Sequence, residues 1–182
     1  MFHKMGLGAL VVIGGDGTLA IAHQFGSRGL PVVGVPKTID NDIVGTTNCF
    51  GFDTAVDFAT DAIDRLHTTA EAHHRIMVVE VMGRYAGWIA LYAGVAGGAD
   101  AILIPEIPFD IGIVTERLRA RDRYGAQFSI VVTAEGAYPR GGAASLLEEA
   151  REGFAERLGG IGAQVCQALA RETKKETRSV VL

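Results

Sequence analysis

Residues 38–42 read Thr-Ile-Asp-Asn-Asp and bring two carboxylates, an amide and a hydroxyl into one short run. They follow Pro36 and Lys37, at the end of an apolar stretch from Leu30 to Val35 that predicts a buried strand. In open parallel sheets, ligands bind beyond the carboxyl ends of the strands. Carboxylates at such a place can accept a proton, coordinate a metal ion, or both. A surface turn is the alternative, because Asp and Asn favour turns.

A second run, Gly-Gly-Asp-Gly-Thr at residues 14–18, lies between a predicted strand and a predicted helix. Consecutive glycines let backbone N–H groups face an anion, and a helix N-terminus adds partial positive charge. Asp16 can hold a divalent cation that bridges phosphate oxygens. The glycine spacing fits neither the dinucleotide fingerprint nor a Walker A loop. The alternative is a plain strand–helix turn with Thr18 as N-cap.

Two further charged residues end predicted strands. Arg84 follows Met82-Gly83 after the third strand, and Glu135 ends the fifth. An arginine there can stabilise charge on a transferring phosphoryl group or hold a sugar phosphate with two hydrogen bonds. Arg75 begins the third strand at its opposite end, so it cannot reach an active site on its own sheet. Taken alone, Arg75 is also consistent with a solvated charge at a strand start.

The elements that position these residues alternate between strands and helices. Short apolar runs predict strands at residues 9–13, 30–35, 75–82, 101–104, 128–133 and 179–182. Helical spacing predicts helices at residues 19–27, 53–72, 85–96 and 111–124, and one broken or two successive helices over 146–171. Residues 45–52 are predicted as a loop, and Pro36 is predicted to stop the second strand. The alternation predicts an α/β fold with an open, mostly parallel sheet and helices on both faces.

Composition indicates a globular chain: 48% of the 182 residues are hydrophobic and 21% are charged. No shift in composition marks a linker, so we expect one region over residues 1–182 without an internal boundary. The chain begins shortly before a buried strand and ends within one. We therefore expect an internal fragment of a longer protein, truncated at both termini.

The net charge of −4 gives no general attraction to nucleic acid or to an anionic membrane, and we expect neither as a partner. No secretory signal and no uninterrupted apolar span are visible. Cys49 and Cys166 lie far apart in sequence and form no metal-ligand spacing. Free thiols fit a reducing compartment, so we expect a cytoplasmic protein.

The order of three motifs resembles the phosphofructokinase family. These are residues 14–18, residues 36–42 and Val81-Met82-Gly83-Arg84, each at a strand end. The resemblance extends from Ala9 to Leu182. A Gly-Gly-Asp-Gly-Thr run also occurs in NAD kinases and lipid kinases, which lack the run at 36–42. The resemblance implies a Rossmann-like phosphofructokinase fold and phosphoryl transfer to the 1-hydroxyl of fructose 6-phosphate, giving fructose 1,6-bisphosphate in glycolysis.

For the acidic run, the resemblance implies that Asp40 is the general base that accepts the sugar hydroxyl proton. Thr38, Ile39 and Asp40 would contact the sugar. Asp42 would lie near the metal–phosphate end. Further alternatives are an NAD or lipid kinase and a non-catalytic fragment.

For the glycine run, the resemblance implies that Gly15, Gly17 and Thr18 lie against the phosphates of the nucleotide. Asp16 would be the carboxylate linked to Mg²⁺. Members that use pyrophosphate usually carry Asp where Gly17 stands, and a carboxylate there would repel the α-phosphate of ATP. Gly17 therefore favours ATP as the donor.

Lys37 is the second residue that bears on the donor, and it resembles the pyrophosphate-using members. A lysine can offer a point charge to the phosphates of ATP or to pyrophosphate. Some members pair this glycine with this lysine and use ATP. We expect ATP as the phosphoryl donor, with pyrophosphate as the alternative.

At the other strand ends, the resemblance assigns Met82, Gly83 and Arg84 to the substrate site, with Arg84 also catalytic. It implies that Glu135 hydrogen-bonds the sugar.

Arg75 and Arg178 match arginines that reach the sugar phosphate of a neighbouring subunit, which implies a homo-oligomer, either a dimer or a tetramer. The segment from Gly136 to Lys175 is longer here than in short bacterial members. The family's first glycine-rich loop and a His/Arg substrate motif are absent from this sequence. We expect the 182 residues alone to be inactive.

Overall fold

The computed structural model describes residues 2–151 and 155–182. They form two compact units, Met1–Asp53 and Thr54–Leu182, which are described separately. No shift in composition marks this division, and the prediction of a single phosphofructokinase-type region stays a prediction. The α/β class with parallel strands is confirmed, with the strands distributed over two parallel sheets and one hairpin.

The first unit is a three-stranded parallel sheet with one helix. Its strands are β1 (Leu10–Gly14), β2 (Val32–Thr38) and β3 (Phe50–Gly51), and they lie in the order β1-β2-β3. The helix α1 (Asp16–Ser27) connects β1 to β2. It packs on the sheet at Gly34, where the side chain of Leu19 fills the space that a side chain at residue 34 would need. A short 3-10 helix, His3–Met5, precedes β1.

The prediction that Pro36 ends the second strand is wrong, because β2 continues to Thr38. Pro36 pairs with Gly14, the last residue of β1, and pairing with β3 begins at the next residue, Lys37. Proline has no backbone N–H to donate to a neighbouring strand. Pro36 lies where the pairing of β2 with β1 ends and its pairing with β3 begins, so few hydrogen bonds between strands are lost. The loop predicted over residues 45–52 is also shorter than expected, since Phe50 and Gly51 form β3.

The second unit is built on a four-stranded parallel sheet in the order β5-β6-β4-β9. The strands are β4 (Ile76–Val81), β5 (Ala101–Leu103), β6 (Ser129–Ala134) and β9 (Thr177–Val181). The helices are α2 (Phe52–His73), which starts at the end of the first unit, α3 (Trp88–Ala96), α4 (Ile111–Arg123) and α5 (Ile161–Thr173). None of the helices in the described ranges is long and apolar enough to cross a bilayer.

Helices cover both faces of this second sheet. On one face, Gly94 of α3 lies against Ile102 and Val132. On the other face, residues of β4 and β6 pack with residues of α4 and α5 in one apolar cluster, including Val78, Val131, Leu118, Val165 and Leu169. Every residue of β4 and β6 is buried, as expected for central strands of a parallel sheet.

The prediction of one broken or two successive helices over residues 146–171 is partly wrong. The structure has an antiparallel hairpin of β7 (Leu146–Glu148) and β8 (Arg157–Leu158), followed by α5. Local propensity favours a helix here, but the hairpin is fixed by distant contacts of the glycines that follow β8. Residues 152–154 lie outside the described part of the chain.

Glu80 holds the start of α5 against β4. Its side chain lies on the buried sheet face, where the residue is 2% exposed. Its carboxylate accepts hydrogen bonds from the backbone N–H groups of Gly160, at 2.9 Å, and Gly162, at 2.7 Å. A Cβ on Gly162 would lie 2.9 Å from Glu80 Oε2, so only glycine lets the helix approach this closely. The buried carboxylate therefore satisfies donors that a helix N-terminus leaves unpaired.

We expect Glu80→Gln to destabilise the protein by about 1–3 kcal/mol, since a buried backbone N–H then faces an amide NH₂ group. The free energy of unfolding, from urea denaturation of the full-length protein, measures this. Glu149→Gln is the control, because Glu149 carries the same side chain at an exposed position directly after β7. Equal stability of the two variants would contradict the assigned role of Glu80.

Candidate active site

The acidic run lies directly after β2 in the first unit. Thr38 is the last residue of the strand, and its hydroxyl accepts a hydrogen bond from the backbone N–H of Asp40 at 3.2 Å. Thr38, Ile39 and Asp40 are half-buried, and Asp42 is exposed. The two carboxylates therefore differ in solvent contact, and Asp40 is the one held close to the strand end.

Asn41 organises the loop that carries these carboxylates. It adopts a left-handed backbone conformation with φ of 54°, which asparagine tolerates better than most residues. Its side-chain oxygen accepts from the N–H of Cys49 at 2.8 Å, and its amide nitrogen donates to the carbonyl of Thr47 at 3.3 Å. Both sides of the loop are thereby tied together. Sequence reasoning identified Asn41 as part of the run but missed this function.

The glycine run turns from β1 into α1. The helix begins at Asp16, three residues before the predicted start at Leu19, and Gly15 is its N-cap without a side-chain capping bond. A Cβ on Gly14 would lie 2.5 Å from the Cβ of Thr18, so the turn requires glycine there. Gly17 has no heavy atom within 4 Å of its Cβ position. The first backbone N–H groups of α1 have no partner within the helix, which is the arrangement that lets helix N-termini bind anions.

The two runs are neighbours within the first unit. Since β1 and β2 are parallel and Gly14 pairs with Pro36, both strands end at the same edge. The Cβ position of Gly15 lies 3.4 Å from the Cβ of Thr38. Lys37 is exposed and points to the sheet face opposite Thr38, because side chains alternate along a strand.

At the glycine run, the carboxylate that could hold a magnesium ion is Asp16, in the first turn of α1. Across residues 2–151 and 155–182, no group of three or more His, Cys, Asp or Glu side chains is arranged to hold a metal. Mg²⁺ usually keeps several waters and binds through one or two carboxylates plus substrate phosphates. The residues at the glycine run fit that kind of site.

In the second unit, the turn that follows β4 contacts the segment that follows β6. The carboxylate of Glu135 accepts from the N–H of Gly83 at 3.2 Å and from the N–H of Arg84 at 2.9 Å. Arg84 has a φ of 48°, and Gly83 has a φ of 140°, which residues with a side chain rarely adopt. Met82 is 52% exposed beside them. The structure thus brings together Met82, Gly83, Arg84 and Glu135.

Gly136 is a residue of this turn that sequence reasoning missed. A Cβ at Gly136 would overlap the carbonyl oxygen of Arg84. The backbone after β6 can therefore touch the backbone after β4 only because residue 136 is glycine. The signal available in the sequence was the Glu-Gly pair at 135–136, directly after a buried strand.

The helix predicted over residues 85–96 begins later than expected, because α3 starts at Trp88, and Tyr85 therefore lies in the turn before it. Its ring centroid lies 5.7 Å from the guanidinium carbon of Arg84, within the range of a cation–π contact. Its hydroxyl donates a hydrogen bond to the carboxylate of Glu156.

Arg75 and Arg178 lie together at the opposite end of the sheet. Arg75 directly precedes β4, and Arg178 pairs in register with Met77. Both contact Glu176 Oε1, through Arg75 Nη2 at 3.0 Å and Arg178 Nη2 at 2.9 Å. Hydrogen bonds from Arg75 and then from Arg178 lower the pKa of Glu176 below its ordinary value. The structure therefore separates this pair from Arg84 and Glu135 by the length of β4.

Comparisons with known proteins identify the family of the chain. It matches the phosphofructokinase family over residues 1–182. It is 60% identical over 179 residues to an ATP-dependent 6-phosphofructokinase of Chloroflexus aurantiacus, a match that covers 98% of this chain and 49% of the relative. It is 54% identical over 179 residues to a pyrophosphate–fructose 6-phosphate 1-phosphotransferase of Amycolatopsis mediterranei, covering 97% and 52%.

A solved phosphofructokinase structure from Saccharomyces cerevisiae agrees with a TM-score of 0.81 at 30% identity, covering 100% of this chain and 26% of that chain. The chain spans about half the length of the curated relatives it matches. Because the family match includes every residue, both runs of the first unit and the Arg84 turn of the second lie within it. The chain belongs to the phosphofructokinase family.

Proposed function

We propose that the full-length protein carrying this chain transfers a phosphoryl group from ATP to the 1-hydroxyl of fructose 6-phosphate, giving fructose 1,6-bisphosphate. The observation that carries the proposal is the proximity of the acidic run to the glycine run, with Gly15 beside Thr38. One run supplies a proton acceptor, and the other supplies backbone donors for phosphates. The names of the relatives support the same activity.

Asp40 is the general base in this proposal. Phosphoryl transfer to an alcohol needs a carboxylate that takes the hydroxyl proton as the oxygen attacks. Asp40 is half-buried and its backbone is fixed by Thr38, which suits a base held in one position. Thr38 and Ile39 orient the sugar beside it, and Asp42 faces the solvent side of the loop.

The backbone N–H groups of Gly15, Gly17 and Thr18 hold the donor phosphates at the start of α1. Asp16 would hold Mg²⁺, which supplies charge neutralisation to the phosphate oxygens when bound. Open space at Gly17 leaves room for the α-phosphate of ATP.

Arg84 stabilises negative charge on the substrate, either on the transferring group or on the sugar phosphate. Glu135 fixes the backbone that presents Arg84, and one of its oxygens hydrogen-bonds the sugar. We include Arg75 and Arg178 as phosphate ligands for a neighbouring subunit, which makes the enzyme a homo-oligomer. A cytoplasmic location completes the proposal, consistent with free Cys49 and Cys166.

The activity is tested by assaying the full-length protein with fructose 6-phosphate and ATP, with and without Mg²⁺. We expect fructose 1,6-bisphosphate to form only when Mg²⁺ is present. Sedimentation of the same preparation tests the oligomer. No product with either ATP or pyrophosphate would overturn the proposed activity.

Pyrophosphate is the second candidate donor. The observations that favour it are the exposed Lys37 at the end of β2 and the relatives named as pyrophosphate-dependent enzymes, one of them 54% identical. The alternative acceptors, NAD or a lipid, have less support, because the Thr38 to Asp42 run belongs to the matched family.

We expect Gly17→Asp to lower kcat/KM for ATP at least about tenfold, and to lower kcat/KM for pyrophosphate much less. The carboxylate would occupy the open space at Gly17 and repel the α-phosphate of ATP, which pyrophosphate lacks. Steady-state rates with each donor measure the difference. Gly26→Asp is the control, since Gly26 lies on the same helix with equally open space. An unchanged ATP rate in Gly17→Asp would refute the steric argument.

A further inference from the structure

The guanidinium of Arg84 has little to hold it, although its backbone is fixed. Glu135 binds the N–H groups of Gly83 and Arg84, and Gly136 packs against the Arg84 carbonyl. Within the ranges 2–151 and 155–182, no carboxylate forms an ion pair with the Arg84 side chain. The guanidinium instead lies against the ring of Tyr85. The direction of the Arg84 side chain therefore depends on where that ring lies.

The Tyr85 ring is not fixed by burial, because Tyr85 is 56% exposed. Its hydroxyl instead donates to the carboxylate of Glu156. Glu156 lies immediately before β8, on the hairpin that β7 and β8 form within the long segment between Gly136 and Lys175. The ring is thus held between the Arg84 turn and this hairpin.

The hairpin itself is anchored in the core of the second unit. Two residues after β8, Gly160 donates to the buried carboxylate of Glu80, and Gly159 donates to the carbonyl of Ser145 at 3.1 Å. Leu158 of β8 is 5% exposed. A continuous set of contacts therefore runs from the buried Glu80 through β8 and Glu156 to Tyr85 and Arg84.

We propose that Tyr85 is a positioning residue for Arg84, and that the β7–β8 hairpin holds Tyr85 in place through Glu156. This rests on the proposed function, in which Arg84 binds the substrate. A cation–π contact at an exposed site is worth a twofold to fivefold change in an equilibrium constant, by rough estimate. Through Glu156 and Tyr85, the hairpin restricts the Arg84 side chain to rotamers that are compatible with substrate binding.

The test measures kcat/KM for fructose 6-phosphate in variants of the full-length protein. Tyr85→Leu removes the ring and is expected to lower kcat/KM about twofold to fivefold. Tyr85→Phe and Glu156→Ala each break the hydrogen bond and are expected to lower kcat/KM by similar, smaller factors. Glu156→Gln keeps an acceptor and is expected to restore most of the rate. Tyr124→Phe is the control, since Tyr124 is 92% exposed at the end of α4.

Two double variants separate positioning from other roles. In Tyr85→Phe with Glu156→Ala, the loss should equal that of either single variant, because one hydrogen bond is removed in all three. In an Arg84→Ala background, Tyr85→Leu should have no further effect. A full additional loss in that background would show that Tyr85 acts independently of Arg84 and would overturn the proposal. So would an unchanged kcat/KM in Tyr85→Leu.

Failure of the proposed function has a different signature. If Arg84→Ala alone leaves kcat/KM for fructose 6-phosphate unchanged, then Arg84 does not bind the substrate and the assigned role of Arg84 fails. If Tyr85→Leu lowers the melting temperature but not kcat/KM, Tyr85 is structural only, and the positioning role fails while the proposed function stands.

Discussion

Replacing Asp40 by serine in the full-length protein is expected to lower kcat by about three to four orders of magnitude, the upper part of the range for general bases. Serine cannot accept the hydroxyl proton at neutral pH, yet it preserves a small polar side chain at the strand end. Sugar-phosphate binding should remain mostly intact, because Thr38, Ile39 and the arginines are unchanged. Initial rates give kcat, and calorimetric titration with fructose 6-phosphate gives the dissociation constant.

The donor provides an internal check on the Asp40 prediction. The proton leaves the sugar whichever donor is used, so turnover with ATP and with pyrophosphate should fall together. Asp57→Ser is the matched control, since Asp57 is exposed on α2 rather than in the acidic run. If Asp40→Ser kept more than a few per cent of the rate, Asp40 would not be the base.

Gly83→Ala is the second substitution with a large expected effect. Gly83 has a φ of 140°, which costs a residue with a side chain on the order of 1–3 kcal/mol. The new Cβ would also overlap the carbonyl oxygen of Ala86. This oxygen belongs to the backbone, so it cannot move aside as the end of a flexible side chain could. The turn must therefore shift, and the Glu135 bonds to Gly83 and Arg84 should weaken.

We expect Gly83→Ala to lower the free energy of unfolding by at least about 2 kcal/mol and to raise KM for fructose 6-phosphate at least tenfold. Denaturant unfolding and steady-state kinetics measure the two effects. Gly125→Ala is the control, because Gly125 also has a positive φ, of 93°, but no atom within 4 Å of its Cβ position. A loss of stability in Gly83→Ala no larger than in Gly125→Ala would show that the overlap with Ala86 is harmless.

The fold class was predictable because the apolar runs of the central strands are short and are followed closely by glycines, Gly83 and Gly136. The strands β4 and β6 are buried along their whole length, and such strands give a clear sequence signal. Pro36 misled the prediction, since its local preference against strands is overridden where β2 changes partners. The β7–β8 hairpin was missed because its residues favour a helix locally and its anchor, Glu80, lies far away in sequence.

The sequence could indicate candidate site residues where residue types carry chemistry, as at Asp40 and Arg84, and their roles stay predictions. The residues that position them were not indicated in this way. Asn41 and Gly136 act through backbone geometry in their loops, and Tyr85 acts through a partner distant in sequence, Glu156. A sequence shows which side chains can react, but it shows much less about which neighbours restrict their motion.

The length of β4, six residues, bears on how many copies of the chain must contact one substrate molecule. At about 3.3 Å per residue, the strand separates Arg75 from the Arg84 turn by roughly 20 Å. That span exceeds the length of a hexose phosphate, so one substrate molecule cannot touch both arginines of a single copy. If both contribute to catalysis, each substrate is shared between two copies, and specific activity should decline on dilution as the copies dissociate.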